Sequence, residues 1–251
     1  EIILPSQIAK KHITLQMLNF NLIQQQSPNF NNRIKNYEID MLVLHYTGMV
    51  STQDALERLC NPNTEVSAHY LIDLDGTCFQ LVEETSRAWH AGKSKWGGNS
   101  DINSRSIGIE LVNPGHQFGY TSYSDAQMEA LESLSMEILT RYPIPPRHVL
   151  GHSDIAPSRR QDPGELLDWR RLAAAGIGLW SNETLAIVNG KQPLGPGATG
   201  KEVSHMQEKL AYFGYAIPAS GAYDKETYDV VMAFQRHFRP EKLDGLFDSL
   251  C

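Results

Sequence analysis

Short apolar runs with β-prone composition recur along the middle of the chain, at 41–45, 67–72, 77–82, 107–112 and 147–151, with polar stretches between them. Asp73-Leu74-Asp75-Gly76 joins two of these runs and predicts a hairpin, because Gly supplies the positive φ that a tight turn needs. Helical spacing fills the gaps. Ser51 is placed to cap a helix running to about Cys60, with Ala55, Leu56 and Leu59 on one side. Ser124 and Gln127 have capping-box spacing ahead of a stripe of Met128, Leu131, Leu134 and Ile138, and Pro143 ends that helix after 125–141. Strands interleaved with helices predict an α/β fold, a central mixed β-sheet flanked by helices.

The flanks differ from this core. Residues 1–36 are polar and Asn/Gln-rich and predict an N-terminal arm with at most a short helix. The alternating region spans 37–180, and a Gly/Pro-rich linker covers 181–197. In 198–251, Thr199 and Glu202 open a helix carrying Val203, Met206, Leu210 and Phe213, and Gly214 stops it. A second helix begins near Asp224 with Val230, Val231, Phe234 and Phe238. A small all-α C-terminal domain is expected, near the lower size limit for independent folding and therefore docked on the first domain.

Composition narrows the classes. The chain has 251 residues, 41% hydrophobic and 20% charged, as ordinary globular proteins have. A net charge of −7 argues against nucleic acid as a partner, although Lys93, Lys95, Arg159 and Arg160 could form a local basic patch. No apolar run approaches the roughly 18 residues of a membrane span. Glu1-Ile2-Ile3-Leu4-Pro5 shows neither a signal-peptide pattern nor an initiator Met, which leaves the compartment open. Three cysteines, Cys60, Cys78 and Cys251, give no disulfide framework and no thiolate metal motif; a Cys60–Cys78 bond is the one pairing left open.

The candidate chemistry sits at the ends of strands. His45 closes one apolar run, His152 follows another, and Asp162 lies in a turn soon after. Two imidazoles and a carboxylate form a three-ligand set that zinc accepts while keeping a fourth position for water or substrate. Glu110, at the end of the 107–112 run, is a candidate general base. Arg159 or Arg160 could stabilise an oxyanion, and Trp89 and His90 could face a sugar or peptide. Taken singly, each of these residues is as well explained by ordinary packing or a solvated surface.

As an ordered set the residues resemble a known family. Leu42-Val43-Leu44-His45-Tyr46-Thr47, Val66-Ser67-Ala68-His69-Tyr70-Leu71-Ile72, Trp89-His90-Ala91-Gly92, Ser106-Ile107-Gly108-Ile109-Glu110-Leu111 and Gly151-His152-Ser153-Asp154-Ile155-Ala156-Pro157 through Asp162-Pro163-Gly164 are similar to the zinc-dependent N-acetylmuramoyl-L-alanine amidases of the AmpD/AmiD type. The resemblance implies His45, His152 and Asp162 as zinc ligands, Glu110 as the catalytic carboxylate, and substrate contacts from His69, Trp89 and His90. The family commonly has Lys two residues before the ligand Asp, and here that position is Arg160. The C-terminal segment resembles a helical peptidoglycan-binding domain. Together these imply hydrolysis of the amide between N-acetylmuramic acid (or its 1,6-anhydro form) and L-alanine, with peptidoglycan or muropeptides as partners. The C-terminal domain is then expected to be an accessory anchor outside the active site. A place in the periplasm or cell envelope is implied, a cytoplasmic one being the alternative. A non-catalytic recognition protein on the same fold is the competing function, and the oligomeric state is left open.

Overall fold

The computed structural model describes residues 21–181, 192–248 and 251. The first 20 residues of the expected arm and most of the expected linker lie outside them. A six-stranded sheet organises the chain: β1 Leu22–Gln24, β5 Cys78–Gln80, β4 Tyr70–Ile72, β7 Ser106–Leu111, β3 Met41–Tyr46 and β8 Val149–Gly151, in that order across the sheet. Central β7 pairs parallel with β3 and β4, and β3 pairs parallel with β8. The β4–β5 pair is antiparallel, and Gly76 turns it at φ 84°. A two-stranded sheet pairs β2 Phe30–Asn32 with β6 Ser86–Ala88.

The described part of the arm is therefore strand, not helix. Its polar side chains explain how it holds. Asn29 Nδ2 donates to the carbonyls of Asn61 and Val66, and Arg33 donates to those of Glu84, Asn103 and Ser106. A polar sequence can thus be tied to the sheet by hydrogen bonds without an apolar face of its own.

Alternation along each strand sorts side chains to two faces of the sheet. Leu42 and Leu44 of β3 and Ile107, Ile109 and Leu111 of β7 bury into one core. That core is closed by α4 Asp125–Arg141 through Met128, Leu131, Leu134 and Ile138. The Ser124–Gln127 capping box forms at its start. On the opposite face lie Met41, Val43 and His45 of β3 and Gly108 and Glu110 of β7. Part of this face is covered by α1 Thr52–Cys60, capped by Ser51, whose Ala55 and Leu59 pack with Leu71. Short helices α2 Ile102–Arg105, α3 Gly115–Phe118, α5 His152–Ile155 and α6 Trp169–Ala174 fill the connections. Cys60 and Cys78 are free thiols.

The rest of that face receives the C-terminal helices α7 Lys201–Phe213 and α8 Lys225–Phe238. Helix α7 starts after Gly200, and the Asp224 side chain caps α8 by accepting from Thr227 N. One apolar core joins Met41, Val43, Trp96, Leu150 and Ile155 to Val203, Met206, Leu210, Tyr215, Val230 and Val231. Gly214, at φ 145°, lies so close to Trp96 that a Cβ there would stand 2.4 Å from the indole. Asp154, buried, binds both parts of the chain. Its carboxylate accepts from Gly151 N (2.8 Å), from the Tyr215 hydroxyl (2.6 Å) and from His237 Nδ1 (2.8 Å). No helix among the described residues is long and apolar enough to cross a membrane.

Candidate active site

Parallel strands bring their carboxyl ends to one rim, and loops beyond that rim are where ligands commonly bind. His45 is the fifth residue of β3, His152 opens α5 directly after β8, and Asp162 lies in the following loop. Their donor atoms converge. His45 Nδ1 and His152 Nδ1 are 2.9 Å apart, and each is within 3.1 and 2.9 Å, respectively, of Asp162 Oδ2. Together they can hold a metal ion. The edges of a tetrahedral zinc site are about 3.3 Å with ordinary zinc–ligand bonds, so the three donors already lie within a few tenths of an ångström of that shape.

The hydrogen bonds behind the donors set their protonation. Ser106 Oγ donates to Ile102 O at 2.7 Å, so it accepts from His90 Nε2 at 3.1 Å. His90 Nδ1 is then an acceptor, and His45 Nε2 donates to it at 3.0 Å. His45 is left with a lone pair on Nδ1, facing the centre. His152 reaches the same state directly, with Nε2 donating to Ala91 O at 3.1 Å. Both imidazoles are thereby oriented as metal ligands by partners that fix the tautomer. Burial, then the neighbouring His152, lowers the His45 pKa to about 4. Burial alone would raise the Asp162 carboxyl; protons on His152 and His45 would hold it below the usual carboxylate range, and in the tautomers above those Nδ1 atoms carry none.

Asp162 is held from behind. Its carbonyl accepts from Ser153 N, and the next carbonyl, that of Pro163, accepts from the hydroxyls of Tyr120 and Tyr123. Glu110 stands one strand from His45. Its Oε2 is shut off from solvent and has no hydrogen-bond partner among the described residues. Burial, then the charge of Asp162, pushes its pKa up to about 8, against the pull of Arg160.

The other residues singled out in the sequence separate. Trp89 and His90 line the same cleft as Glu110, His152 and Asp162, a space of about 1330 Å³. Trp89 is fixed by its indole N–H donating to Asn31 Oδ1 at 2.9 Å. His90 stands behind His45, and Gly108 makes room for it, since a Cβ there would lie 2.5 Å from the ring. Arg160 is exposed on the cleft wall, while Arg159 spends its guanidinium on the carbonyls of Ala91 and Lys93. The expectation for His69 is corrected. It is 0% exposed, its Nδ1 accepts from Gly108 N and its Nε2 lies against Ser86 O and Arg33, so it props the sheet and cannot touch a ligand.

Sequence reasoning passed over Ser106, Asn103, whose Oδ1 accepts from His90 N and Ala91 N, and the two tyrosines behind Asp162. Only Gly108 and Ser106, inside the segment carrying Glu110, were close enough to a candidate to attract notice. The cleft also has an unexpected wall. Lys225, Tyr228, Asp229, Met232 and Arg236 of α8 line it, so the C-terminal part is not outside the site.

A buried carboxylate beside a metal-capable triad, at the carboxyl ends of parallel strands, defines a cleft of hydrolase type. The N-acetylmuramoyl-L-alanine amidase family model matches residues 35–165, and a peptidoglycan binding domain model matches 199–250. The N-acetylmuramoyl-L-alanine amidase AmiD of Escherichia coli (strain K12) is 37% identical over 225 residues, 84% of this chain and 79% of that protein. The structure of E. coli AmiD with the substrate anhydro-N-acetylmuramic acid-L-Ala-D-γ-Glu-L-Lys superposes with a TM-score of 0.75 at 35% identity, covering 88% of each chain. AmpDh3 of Pseudomonas aeruginosa, in complex with anhydromuramic pentapeptide, gives a TM-score of 0.74 at 35% identity, covering 86% of this chain and 90% of that one. The chain belongs to the N-acetylmuramoyl-L-alanine amidase family and is an enzyme of that class.

Proposed function

We propose that this enzyme is zinc-dependent and cleaves the amide between N-acetylmuramic acid, intact or 1,6-anhydro, and the L-alanine of the stem peptide, in turnover of the cell wall. The observation that carries the proposal is the convergence of His45 Nδ1, His152 Nδ1 and Asp162 Oδ2 beside an unpartnered Glu110 Oε2. Two nitrogens and one oxygen, with no thiolate, are a donor set that suits zinc. Zinc held there would supply Lewis acidity toward the scissile carbonyl and acidify water. Glu110 takes the proton of the attacking water and hands it to the leaving amine. Its raised pKa belongs to a carboxyl without a cation beside it, and a dication among the three donors draws it back toward the ionised form. Arg160, free on the cleft wall, faces the oxyanion that develops on the carbonyl. His90 holds His45 in its ligating tautomer, and Trp89 offers an aromatic edge to the substrate.

The ligand bound to E. coli AmiD supports this substrate class: a muramyl group followed by a peptide in which Glu is linked through its γ-carboxyl, leaving the α-carboxylate free. The match to a peptidoglycan binding domain supports a place of work in the cell envelope. Purified sacculi and anhydro-muropeptides, incubated with and without chelator and analysed by mass spectrometry, test the proposal. A free muramyl fragment and a peptide beginning with L-alanine, both lost on chelation, are expected. Binding without cleavage would make the chain a recognition protein instead.

A further inference from the structure

The face that α8 turns to the cleft carries Lys225, Tyr228, Asp229, Met232 and Arg236, spaced i, i+3, i+4, i+7 and i+11, as one helical stripe requires. Val230, Val231, Ala233 and His237, on other faces of the helix, are buried. Two of the cleft-facing charges cancel. Lys225 Nζ binds both carboxylate oxygens of Asp229, at 2.8 and 2.7 Å.

Arg236 has no such partner. It is only 9% exposed, its side chain makes no hydrogen bond or ion pair among the described residues, and its Nε is sealed from solvent without an acceptor. A buried guanidinium normally has its donors satisfied, because an unpaired buried charge is costly. Glu165 lies within reach of its field, but that carboxylate is held by His116 Nε2 at 3.0 and 3.2 Å. Arg236 lines the same cleft as Tyr46, Glu110, His152 and Asp162, which places the guanidinium in the space that the metal-capable residues face. An acceptor arriving with the ligand would satisfy Arg236, and a planar carboxylate matches its fork.

We propose that Arg236, supplied by the C-terminal part of the chain, is a specificity-determining residue that binds a free carboxylate of the stem peptide while the scissile amide lies at the triad. This rests on the amidase function proposed above. The C-terminal helices would then form part of the substrate site for soluble fragments as well as for polymer.

The test uses the full-length, zinc-loaded protein and two peptides: anhydro-muramyl-L-Ala-D-γ-Glu-L-Lys, and the same molecule with its free carboxylates converted to carboxamides. Both KM and, by calorimetry, Kd are measured. The wild type should prefer the free acid by about tenfold or more, the scale of one charge-assisted contact. Arg236→Gln should collapse that preference, with the loss falling on KM rather than kcat, and Arg236→Lys should restore part of it. If Arg236→Gln does not fold, as read by near-ultraviolet circular dichroism, the wild-type preference and the Lys variant decide. Equal affinity of the wild type for both peptides would overturn the proposal, as would an Arg236→Gln variant that weakens both equally. Selective binding of the free acid without cleavage of either peptide would overturn the amidase function and leave the Arg236 subsite standing.

Discussion

Glu110 and His45 stand in register on neighbouring parallel strands, His45 on β3 and Glu110 on β7. Register partners leave the same face of a sheet, on strands about 4.8 Å apart. Backbone hydrogen bonds, not a mobile loop, therefore set the distance between the candidate base and a candidate ligand. Residues with this support tolerate substitution without drifting.

That support makes Glu110→Gln a clean variant. The amide fills the same space but accepts no proton, so turnover should fall by roughly 100- to 10,000-fold. Metal content by elemental analysis and Tm should stay near those of the wild type. Near-normal turnover would move the proton transfer to another group.

Arg160 is exposed, its side chain makes no hydrogen bond or ion pair among the described residues, and the role proposed for it is electrostatic. Arg160→Ala should lower kcat more than it raises KM, because a charge facing a developing oxyanion acts chiefly in the transition state. Arg160→Lys should keep partial activity. Steady-state kinetics showing a raised KM with kcat intact would make Arg160 a binder of substrate carboxylates.

The shared core predicts that the two parts of the chain unfold together. A chain ending at Pro193 uncovers Met41, Val43, Trp96 and Leu150, and exposing a large apolar side chain costs about 1.5–3 kcal/mol. Calorimetry should show one transition for the whole chain and a much lower, broadened one for the truncated chain. Tyr215→Phe, which removes one of the donors to Asp154, should cost about 1–3 kcal/mol in denaturant unfolding. Two separate transitions in the whole chain would mean that the parts are only tethered.

Glu84 gives a pH dependence remote from the metal-capable centre. Burial would raise its pKa, but hydrogen bonds from Arg141 and Tyr70 outweigh burial and depress it. The stability this contributes is fully present above the unfolded pKa, near 4.5, and is lost as pH falls through the lower folded value. Glu84→Gln should therefore flatten the acid limb of the stability–pH curve. An unchanged slope below pH 4.5 in urea titrations would refute this.

Local signals were legible wherever they governed the outcome. Ser124 and Gln127 announced α4 because a capping box is a contact between residues three apart, and the 41–45 run announced β3 because its burial is continuous. Strands β1, β2 and β6 were illegible: each has three residues, and their pairing depends on partners such as Asn29 and Arg33 rather than on a pattern. His45, His152 and Asp162 could be picked out because their chemistry is rare at strand ends. His69 reads as a substrate contact through the family resemblance, and only the approach of Arg33 and the Gly108 N–H shows it to be a prop. Arg236 was hidden for another reason. Its position on α8 reads as the edge of an amphipathic helix, and only docking turns that edge into a wall of the cleft.

The convergence of His45, His152 and Asp162 also bears on the endurance of the protein. Three electron-rich atoms are held about 3 Å apart, two of them with lone pairs directed by neighbours that leave no alternative tautomer. The folded chain bears that mutual repulsion; the unfolded chain does not. A cation at their centre turns the repulsion into three attractive bonds, so metal uptake and folding are linked equilibria. On the proposal that zinc binds there, metal supply would set how long each molecule survives heat and proteases, quite apart from how fast it turns over substrate.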